Sequence, residues 1–158
     1  LHGVMHLARE VMLTNAWNGP LCFLRPTLIY GSEDPHNGYG PNRFMRQAKK
    51  GEEIPLFGEG EERRDHVWIQ DVADLTCRVL CQQSTGILNI ATGRIISFRE
   101  IAELITRLVP SSSQIKGSLR SGKMPHNGYR AFDTTVTHHA FSDFTYTNLK
   151  DGLRKVYG

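Results

Sequence analysis

The chain has 158 residues, of which 39% are hydrophobic and 22% are charged, and its formal net charge is +3. These values are typical of one globular domain with a real hydrophobic core. Lysines and arginines form no long block and no stripe interleaved with aromatic residues, so the composition argues against nucleic-acid binding. No apolar run approaches the length of a membrane span. The odd number of cysteines, Cys22, Cys77 and Cys81, favours reduced thiols in a cytoplasmic protein.

The first third of the chain predicts a helix, a strand, a loop and a second helix. Apolar residues at helical spacing predict a helix over residues 2–16, which a Gly-Pro pair ends. Residues 21–30, LCFLRPTLIY, form a nearly continuous apolar run, which is typical of a strand buried on both faces in a parallel sheet. The loop over residues 32–41 is rich in turn formers, and the basic helix after it ends at Gly51 as a C′ residue.

The middle of the chain predicts two strands joined by a tight turn. The first strand covers residues 54–57, and the turn contains Gly-Glu-Gly, because glycine adopts positive φ at no steric cost. A second β-type run covers residues 66–69. Asp71 then predicts the N-cap of a helix that begins at Val72, since its carboxylate can accept a hydrogen bond from an unpaired backbone N–H.

The last part of the chain continues the alternation of strands and helices. A strand over residues 87–90 precedes a capping box formed by Ser97 and Glu100, which starts a helix that a proline ends. A short strand near Ile115 follows, and the tail predicts one or two short helices, the last over residues 149–156. This alternation predicts an α/β fold.

Five segments carry motifs that occur in a fixed order. They are RPTLIYG (residues 25–31), LFGEGEERRDHVWIQDVAD (56–74), GILNIATGRIISFREIAELI (86–105), RSGK (120–123) and NLKDGLRKV (148–156). They resemble the RPxNVYG, GxxxRDxxxxxDVA, GxxxNIGxGxxxSxxE, RxGD and PLxxGL segments of the NAD(P)-dependent epimerase/dehydratase family, the extended short-chain dehydrogenases that act on nucleotide sugars. Each motif is weak alone, but five in the correct order make the resemblance specific.

The resemblance implies an α/β fold in two parts. We expect the C-terminal part of a Rossmann-type extended short-chain dehydrogenase, with its last parallel strand or strands in residues 1–31 and the smaller α/β substrate-binding lobe in residues 32–158. The family's glycine-rich cofactor fingerprint has no match. Gly58-Glu59-Gly60 opens no helix, and the acidic residues after it would repel a pyrophosphate. We therefore expect the chain to be the C-terminal portion of a longer enzyme and to be inactive alone.

An arginine-rich cluster stands at the entrance of the second strand of the middle region. Arg63, Arg64 and Asp65 follow the glycine turn, and an arginine held at a strand end by an acidic neighbour is suited to bind a phosphate through paired N–H donors. The alternative is a solvated, charged turn. By resemblance, Arg64 would contact the diphosphate of the substrate, whereas Asp71 would be mainly structural.

The resemblance also implies a cofactor, a substrate and a partner. The cofactor would be NAD or NADP, the substrate a nucleotide sugar, and the partner a second copy of the chain, bound through the helix that carries the catalytic pair. Residues 25–31 would run beside the nicotinamide, with Pro26 and Thr27 as cofactor contacts. Arg120 would bind phosphate together with Arg64.

The family's catalytic Tyr-x-x-x-Lys pair is replaced by histidines. Aligned through Glu10, the tyrosine and lysine positions hold His2 and His6, one helical turn apart. Imidazole transfers protons near neutral pH, so the pair is a candidate for acid–base catalysis, although His6 cannot supply the permanent charge of a lysine. The alternatives are an altered terminus, an enzyme with degenerate chemistry, and a zinc site that includes Glu10. Since no further ligand has suitable spacing, we expect no metal.

A pentapeptide occurs twice, as Pro35-His-Asn-Gly-Tyr39 and as Pro125-His-Asn-Gly-Tyr129. Both copies are loops by composition, and the corresponding segments of the family border the substrate cleft, so we predict that the two copies face one pocket. Contacts to a sugar or a base would come from His36, Asn37, Tyr39, His126, Asn127 and Tyr129. The alternative is two similar Asn-Gly turns without a shared role.

Three functional hypotheses follow. The first is the substrate-binding C-terminal portion of an NAD(P)-dependent nucleotide-sugar epimerase or dehydratase, which transfers hydride between a substrate carbon and the nicotinamide. The second is a non-catalytic module with a nucleotide-sugar-binding or regulatory role. The histidines at both catalytic positions favour this hypothesis. The third is a metal-dependent hydrolase built on His2, His6 and Glu10.

Overall fold

A computed structural model describes the chain from residue 2 to residue 157, and of His2 it describes the backbone only. The helices are α1 (His2–Ala16), α2 (Pro41–Lys50), α3 (Ile69–Cys81), α4 (Phe98–Leu108), α5 (Thr135–Ala140) and α6 (Leu149–Tyr157). The strands are β1 (Cys22–Pro26), β2 (Leu28–Tyr30), β3 (Ile54–Phe57), β4 (Arg63–Trp68), β5 (Gly86–Ile90), β6 (Ile95–Ser97), β7 (Ile115–Ser118) and β8 (Tyr129–Arg130), the last preceded by a 3₁₀ turn (Pro125–Gly128). The predicted α/β class is confirmed.

Strand β4 connects three neighbours. Its second half pairs with β2 in parallel, from Leu28 opposite His66 to Tyr30 opposite Trp68. Its first half pairs with β6 in antiparallel and with β8 in parallel orientation. Two further parallel pairs, β1 with β5 and β3 with β7, complete the sheets. The arginine-rich cluster therefore lies on a strand with partners on both sides.

The predicted continuous strand over residues 21–30 is wrong, because the run is two strands in two sheets. Strand β1 pairs with β5, and β2 pairs with β4, so the chain changes its pairing partner at Thr27. Thr27 directly follows a proline, which has no N–H to donate to a strand ladder. The N–H of Thr27 donates to the carbonyl of Ile90 (3.0 Å), and its hydroxyl donates to the carbonyl of Asp65 (3.0 Å). Thr27 thus links the two sheets.

Large apolar side chains on α1 and β2 are exposed. They include Val4, Leu7, Val11 and Met12 on α1, and Leu28 and Ile29 on β2. The prediction of a strand buried on both faces is therefore also wrong, because no described element covers the outer side of β2. Within residues 2–157, no helix has both the length and the apolar character needed to cross a membrane.

Helix α3 begins at Ile69, earlier than predicted, and Asp71 does not cap it. The N-cap residue is Trp68, whose side chain makes no capping hydrogen bond. Asp71 lies in the first turn and is buried, and its carboxylate accepts the N–H (2.8 Å) and the hydroxyl (3.0 Å) of Thr147. A carboxylate in the first turn also suits the helix dipole. Asp71 therefore ties α3 to the segment before α6.

Two local signals in the sequence are confirmed. The hydroxyl of Ser97 accepts the N–H of Glu100 (3.1 Å), and the Glu100 carboxylate accepts the N–H of Ser97 (2.8 Å), which is the predicted capping box of α4. Gly51 follows α2 with φ of 69°, and its N–H donates to the carbonyl of Ala48 (3.0 Å).

Two hydrophobic cores support the strands. The first lies among α2, α4, α6 and β3, and its buried residues include Phe44, Ile54, Ile101, Ile105 and Leu153. The second joins β4, α3, β5 and the end of α5, and includes Val67, Leu75, Leu88, Ile90 and Phe141. Because β4 contributes Val67 to the second core, the backbone of the arginine cluster rests on packed structure.

Candidate functional site

Arg64 lies in β4, and its side chain is only 9% exposed. Nη1 donates to the carbonyl of Arg63 (2.8 Å), and Nη2 donates to the carbonyl of Pro125 (3.2 Å). The same guanidinium forms an ion pair with the carboxylate of Glu62. Two carbonyls and one carboxylate therefore hold Arg64 in a defined orientation.

Arg120 reaches the same carboxylate from the segment after β7. Its side chain is 19% exposed, and Nη2 donates to the carbonyl of Phe57 (3.1 Å). Nη1 lies 3.5 Å from Oε2 of Glu62, and Nε lies 3.5 Å from Oε1 of Glu61. The two arginines that the resemblance assigns to phosphate binding thus converge on Glu62.

Sequence analysis did not single out Glu62, although its side chain is only 14% exposed. A signal was available, because residues two apart in extended backbone lie on the same side, and Glu62 stands two before Arg64. The contact between Glu62 and Arg120 could not be predicted in this way, because the two residues are far apart in the sequence. The formal charges of Arg64 and Arg120 are balanced by those of Glu61 and Glu62, so these four side chains together carry no net charge.

Asp65 fixes the strand that carries Arg64. Its buried carboxylate accepts the N–H (3.1 Å) and the hydroxyl (2.7 Å) of Thr92, and the N–H of Gly93 (2.8 Å). The acid that holds Arg64 is therefore Glu62, whereas Asp65 is bound to the turn after β5. The alternative of a solvated, charged turn does not describe Arg64, because its side chain is buried and bonded.

Tyr39 of the first pentapeptide copy is linked to Arg120 through Phe57, whose carbonyl accepts a hydrogen bond from Arg120. The Tyr39 hydroxyl accepts the N–H of Phe57 (3.1 Å), and its ring lies 4.5 Å from the ring of Phe98 between centroids. Burial raises the pKa of Tyr39, and the charges of Glu62 and Arg120 act on it in opposite directions. Tyr39 therefore belongs to an aromatic cluster beside the arginines.

The polar residues of the first copy lie further out. His36 is exposed, and Asn37, with φ of 47°, accepts a hydrogen bond from Nη1 of Arg46 (2.8 Å). Next to them, a cavity of about 260 Å³ opens at the end of β2. Its lining consists of Ile29, Tyr30, Gly31, Glu33, Asp34, Pro35, Asn42 and Ile69.

The second copy contacts the cluster through its proline. The carbonyl of Pro125 accepts the hydrogen bond from Arg64, and His126 and Asn127 have φ of 52° and 51°. Tyr129 is exposed on β8, opposite Arg63 of β4. Each copy thus contributes one residue to the surroundings of the arginines. That the remaining polar residues face one pocket stays a prediction.

The two expected cofactor contacts lie where β1 passes into β2. Pro26 is exposed at the end of β1. Thr27 uses its N–H and its hydroxyl in the hydrogen bonds that link the two sheets. Their role at the nicotinamide stays a prediction.

The expected catalytic helix is exposed. The side chain of His2 lies outside the described residues, and His6 lies on an exposed side of α1. Glu10 is paired with Arg25, whose Nε donates to Oε1 (2.8 Å). The hydrogen bond from Arg25 lowers the pKa of Glu10; burial opposes this, and the charges of Arg25 and His6 add to it.

The structure gives no support to a metal centre on α1. Glu10, which would be a ligand, is already bonded to Arg25. Among the residues that the structure describes, no group of three or more His, Cys, Asp and Glu side chains has the geometry to hold a metal ion. A site that uses the side chain of His2 lies outside that description.

Comparison with known proteins identifies the family. A family model described as the NAD dependent epimerase/dehydratase family matches residues 2–91, more than half of the chain, and the chain belongs to this family. The resemblance found from the five motifs is therefore confirmed.

Two curated relatives and one solved structure illustrate the match. The chain is 30% identical over 136 residues to dTDP-L-rhamnose 4-epimerase of Burkholderia thailandensis, covering 80% of this chain and 37% of the relative. It is 26% identical to dTDP-4-dehydro-6-deoxy-D-allose reductase of Streptomyces bikiniensis, covering 95% and 44%. The structure of MoeE5 in complex with UDP-glucuronic acid and NAD is 26% identical, with a TM-score of 0.73, covering 96% of this chain and 52% of MoeE5. The chain thus spans less than half of the curated relatives' length.

Proposed function

We propose that this chain is the substrate-binding, C-terminal portion of an NAD(P)-dependent enzyme that acts on a nucleotide-activated sugar. The family assignment supports this class of enzyme. The relatives differ in reaction, since one is an epimerase and another a reductase, but their names share a dTDP-linked sugar. NAD(P), when bound, accepts and returns the hydride, and this chain's residues bind and orient the substrate.

The convergence of Arg64 and Arg120 on Glu62 carries the proposal. Two guanidiniums from separate segments present donors to one anion, and both are held by backbone carbonyls as well. A diphosphate has more acceptor oxygens and more negative charge than a carboxylate, so the same donors suit it better. In this proposal Arg64 and Arg120 bind the diphosphate of the nucleotide sugar.

The proposal divides the chain into two functional parts. Residues 1–31 supply the last Rossmann elements, and residues 32–158 form the substrate-binding lobe. The exposed apolar residues of α1 and β2 support this division, because such surfaces are normally covered by further structure. We propose that an N-terminal Rossmann part covers β2 and that a second copy packs on α1 to form a cytoplasmic homodimer.

The sugar or the base would be bound by the two pentapeptide copies. Asn37 and Asn127 both have positive φ, a conformation that glycine also adopts freely. Asn37→Gly and Asn127→Gly therefore remove each side chain without straining the backbone. If the copies share a pocket, each single variant weakens nucleotide-sugar binding; unchanged affinity in both would exclude the shared pocket.

Calorimetric titration with UDP, dTDP and their sugar conjugates tests the main proposal. We expect Arg64→Ala to lower the affinity roughly tenfold or more, because a buried guanidinium makes charge-assisted hydrogen bonds to phosphate. Arg64→Lys keeps the charge but loses the paired donors, so its affinity should be intermediate. Arg78→Ala is the control, since Arg78 lies on α3 and pairs with Asp143, away from both phosphate-binding arginines.

The titration is made on this chain and, in parallel, on a protein that also carries a Rossmann half of the family. If both proteins bind the nucleotide or nucleotide sugar and Arg64→Ala abolishes that binding, the result supports a substrate-binding lobe in this chain. Binding that is unaffected by Arg64→Ala and Arg120→Ala in both proteins would overturn the phosphate role. Circular dichroism of each variant separates loss of binding from loss of fold.

The second candidate function is a nucleotide-sugar-binding module without redox chemistry. Histidines at both positions of the catalytic pair, His2 and His6, favour it. The NMR signal of a converted sugar, during incubation of the two-part protein with NAD and nucleotide sugars, distinguishes the candidates, because a hydride that is returned leaves no net NADH. A signal that His6→Ala abolishes supports the enzyme, and tight binding with no signal supports the module.

A further inference from the structure

We propose that Glu62 is an internal competitor for the phosphate groups of the substrate. Its carboxylate occupies the space between Arg64 and Arg120, and it leaves that space when a diphosphate binds. This inference rests on the proposed function, in which these two arginines bind the diphosphate.

Glu62 uses both carboxylate oxygens, one for each arginine. Oε1 pairs with Nη2 of Arg64, and Oε2 lies 3.5 Å from Nη1 of Arg120. With its side chain only 14% exposed, Glu62 is screened from solvent far more than an ordinary surface glutamate. A single carboxylate therefore bridges the two guanidiniums, as one anionic ligand would.

The charges around the arginines require this carboxylate to move. Arg64 and Arg120 carry two positive charges, and Glu61 and Glu62 carry two negative charges. A diphosphate that approached the two arginines would find their N–H donors occupied by the Glu62 carboxylate. The two negative charges would repel each other strongly, because bulk water is largely excluded from this position. Rotation of Glu62 away from the pair uncovers both guanidiniums at once.

The surroundings allow Glu62 to leave without disturbing the arginines. The backbone carbonyl of Glu62 accepts the N–H of Phe98 (3.1 Å), so the main chain is held and a change of side-chain rotamer is sufficient. Arg64 keeps the carbonyls of Arg63 and Pro125, and Arg120 keeps the carbonyl of Phe57. The donors therefore stay oriented when the carboxylate is gone.

Glu61 provides a matched comparison one residue away. It carries the same charge, but of the two arginines it contacts only Arg120, at 3.5 Å, and its side chain is 46% exposed. The N–H of Glu59 also donates to its carboxylate (2.8 Å). Loss of the Glu61 charge should therefore affect a ligand between the arginines much less than loss of the Glu62 charge.

The test is calorimetric titration of Glu62→Gln with UDP. A ligand can bind only the fraction of protein whose site is free of the competitor, and its apparent affinity is lowered accordingly. Removing the competitor should therefore raise the affinity for UDP, here by roughly 3- to 30-fold. Glu61→Gln should change the affinity by about twofold or less. Glu62→Asp, which keeps the charge on a shorter side chain, should give an intermediate gain and serves if Glu62→Gln fails to fold.

A double variant separates this role from a structural one. If Glu62 competes at Arg64, the gain from Glu62→Gln disappears in the Arg64→Ala background. Weaker or unchanged UDP binding by Glu62→Gln and Glu62→Asp would overturn the inference, while the proposed function would stand if Arg64→Ala still lowered binding to the parent chain. No binding of UDP or of dTDP by parent or variants, with or without the Rossmann half, would overturn both.

Discussion

The hydroxyl of Tyr30, at the end of β2, lies directly against Gly152 in α6. A Cβ placed on Gly152 would be 1.9 Å from the Tyr30 oxygen and 2.9 Å from Cζ. Burial, reinforced by the charges of Asp71 and Asp151, raises the pKa of Tyr30, and its hydroxyl has no hydrogen-bond partner among the described residues. Gly152 is therefore required by close packing of α6 on β2.

Gly152→Ala should destabilise the protein. The overlap should cost about 1–3 kcal/mol, which outweighs the gain of up to about 1 kcal/mol from replacing a helical glycine by alanine. Urea unfolding measures the difference. Gly3→Ala, in α1, is the control and should be neutral or stabilising, because a Cβ there would meet no atom of the described residues within 4 Å beyond its chain neighbours and its own helix backbone.

Tyr30→Phe should relieve part of that cost. The substitution removes the oxygen nearest to the new Cβ. Since the buried hydroxyl has no hydrogen-bond partner in the described part of the chain, Tyr30→Phe alone should be close to neutral or stabilising. Gly152→Ala should then cost less in the Tyr30→Phe background. Equal costs in both backgrounds would contradict the packing explanation.

Asp71→Ala should destabilise the protein by about 3 kcal/mol, because two hydrogen bonds from Thr147 to a buried carboxylate are lost. The free energy of unfolding in urea measures this loss. Asp74→Ala is the control on the same helix, since Asp74 is exposed and bonds to Gln70 on the surface. Equal effects of the two substitutions would exclude a special role for the Asp71–Thr147 contact.

His66 should make the protein less stable in acid. Burial lowers the pKa of His66 from 6.5 to about 4, the nearby charge of Arg64 acts in the same direction, and the Arg64 backbone carbonyl opposes it. Phe98 packs edge-on against the ring at 5.6 Å. Since the folded-state pKa lies below the unfolded one, the unfolded state binds more protons, and stability falls as the pH drops from about 6.5 towards 4.

Urea unfolding at pH 7.5 and pH 5 tests this prediction. The parent should lose about 2 kcal/mol between the two values from this residue. His66→Phe fills the same apolar site without titrating, so its loss over that interval should be smaller by that amount. The same pH dependence in both proteins would show that His66 is not responsible.

Ser97→Ala should destabilise the protein by about 1 kcal/mol through loss of the N-cap of α4. The hydrogen bonds from Ser97 lower the pKa of Glu100, and the charge of Arg63 adds to this effect. Ser97→Ala should therefore raise the pKa of Glu100, which NMR titration can follow. Ser32→Ala, in an exposed loop, is the control for stability.

Much of the local structure was predictable because its signals act over a few residues. The capping box of Ser97 and Glu100 and the C-terminal Gly51 were read correctly for this reason. Strands β6 and β8 were missed, because segments of three and two residues have too little periodicity to be recognised. Asp71 was misread as a cap because its partner, Thr147, is distant in sequence.

The candidate site was predictable only in part. Family motifs identified Arg64 and Arg120, which belong to recognisable segments, but they did not identify Glu62, whose importance depends on its contact with both. The side-chain contact of Asn37 also depends on a partner that its motif does not contain, Arg46.

By itself, the sequence determined the α/β class, the family and most element boundaries, because periodicity, caps, glycines and ordered motifs depend on neighbouring residues. Only the tertiary structure decided which side chains meet: Glu62 between two arginines, Tyr30 against Gly152, and Thr27 at the crossing of two sheets. These contacts join distant segments, and their geometry follows from how whole helices and strands pack, which no short stretch of sequence specifies.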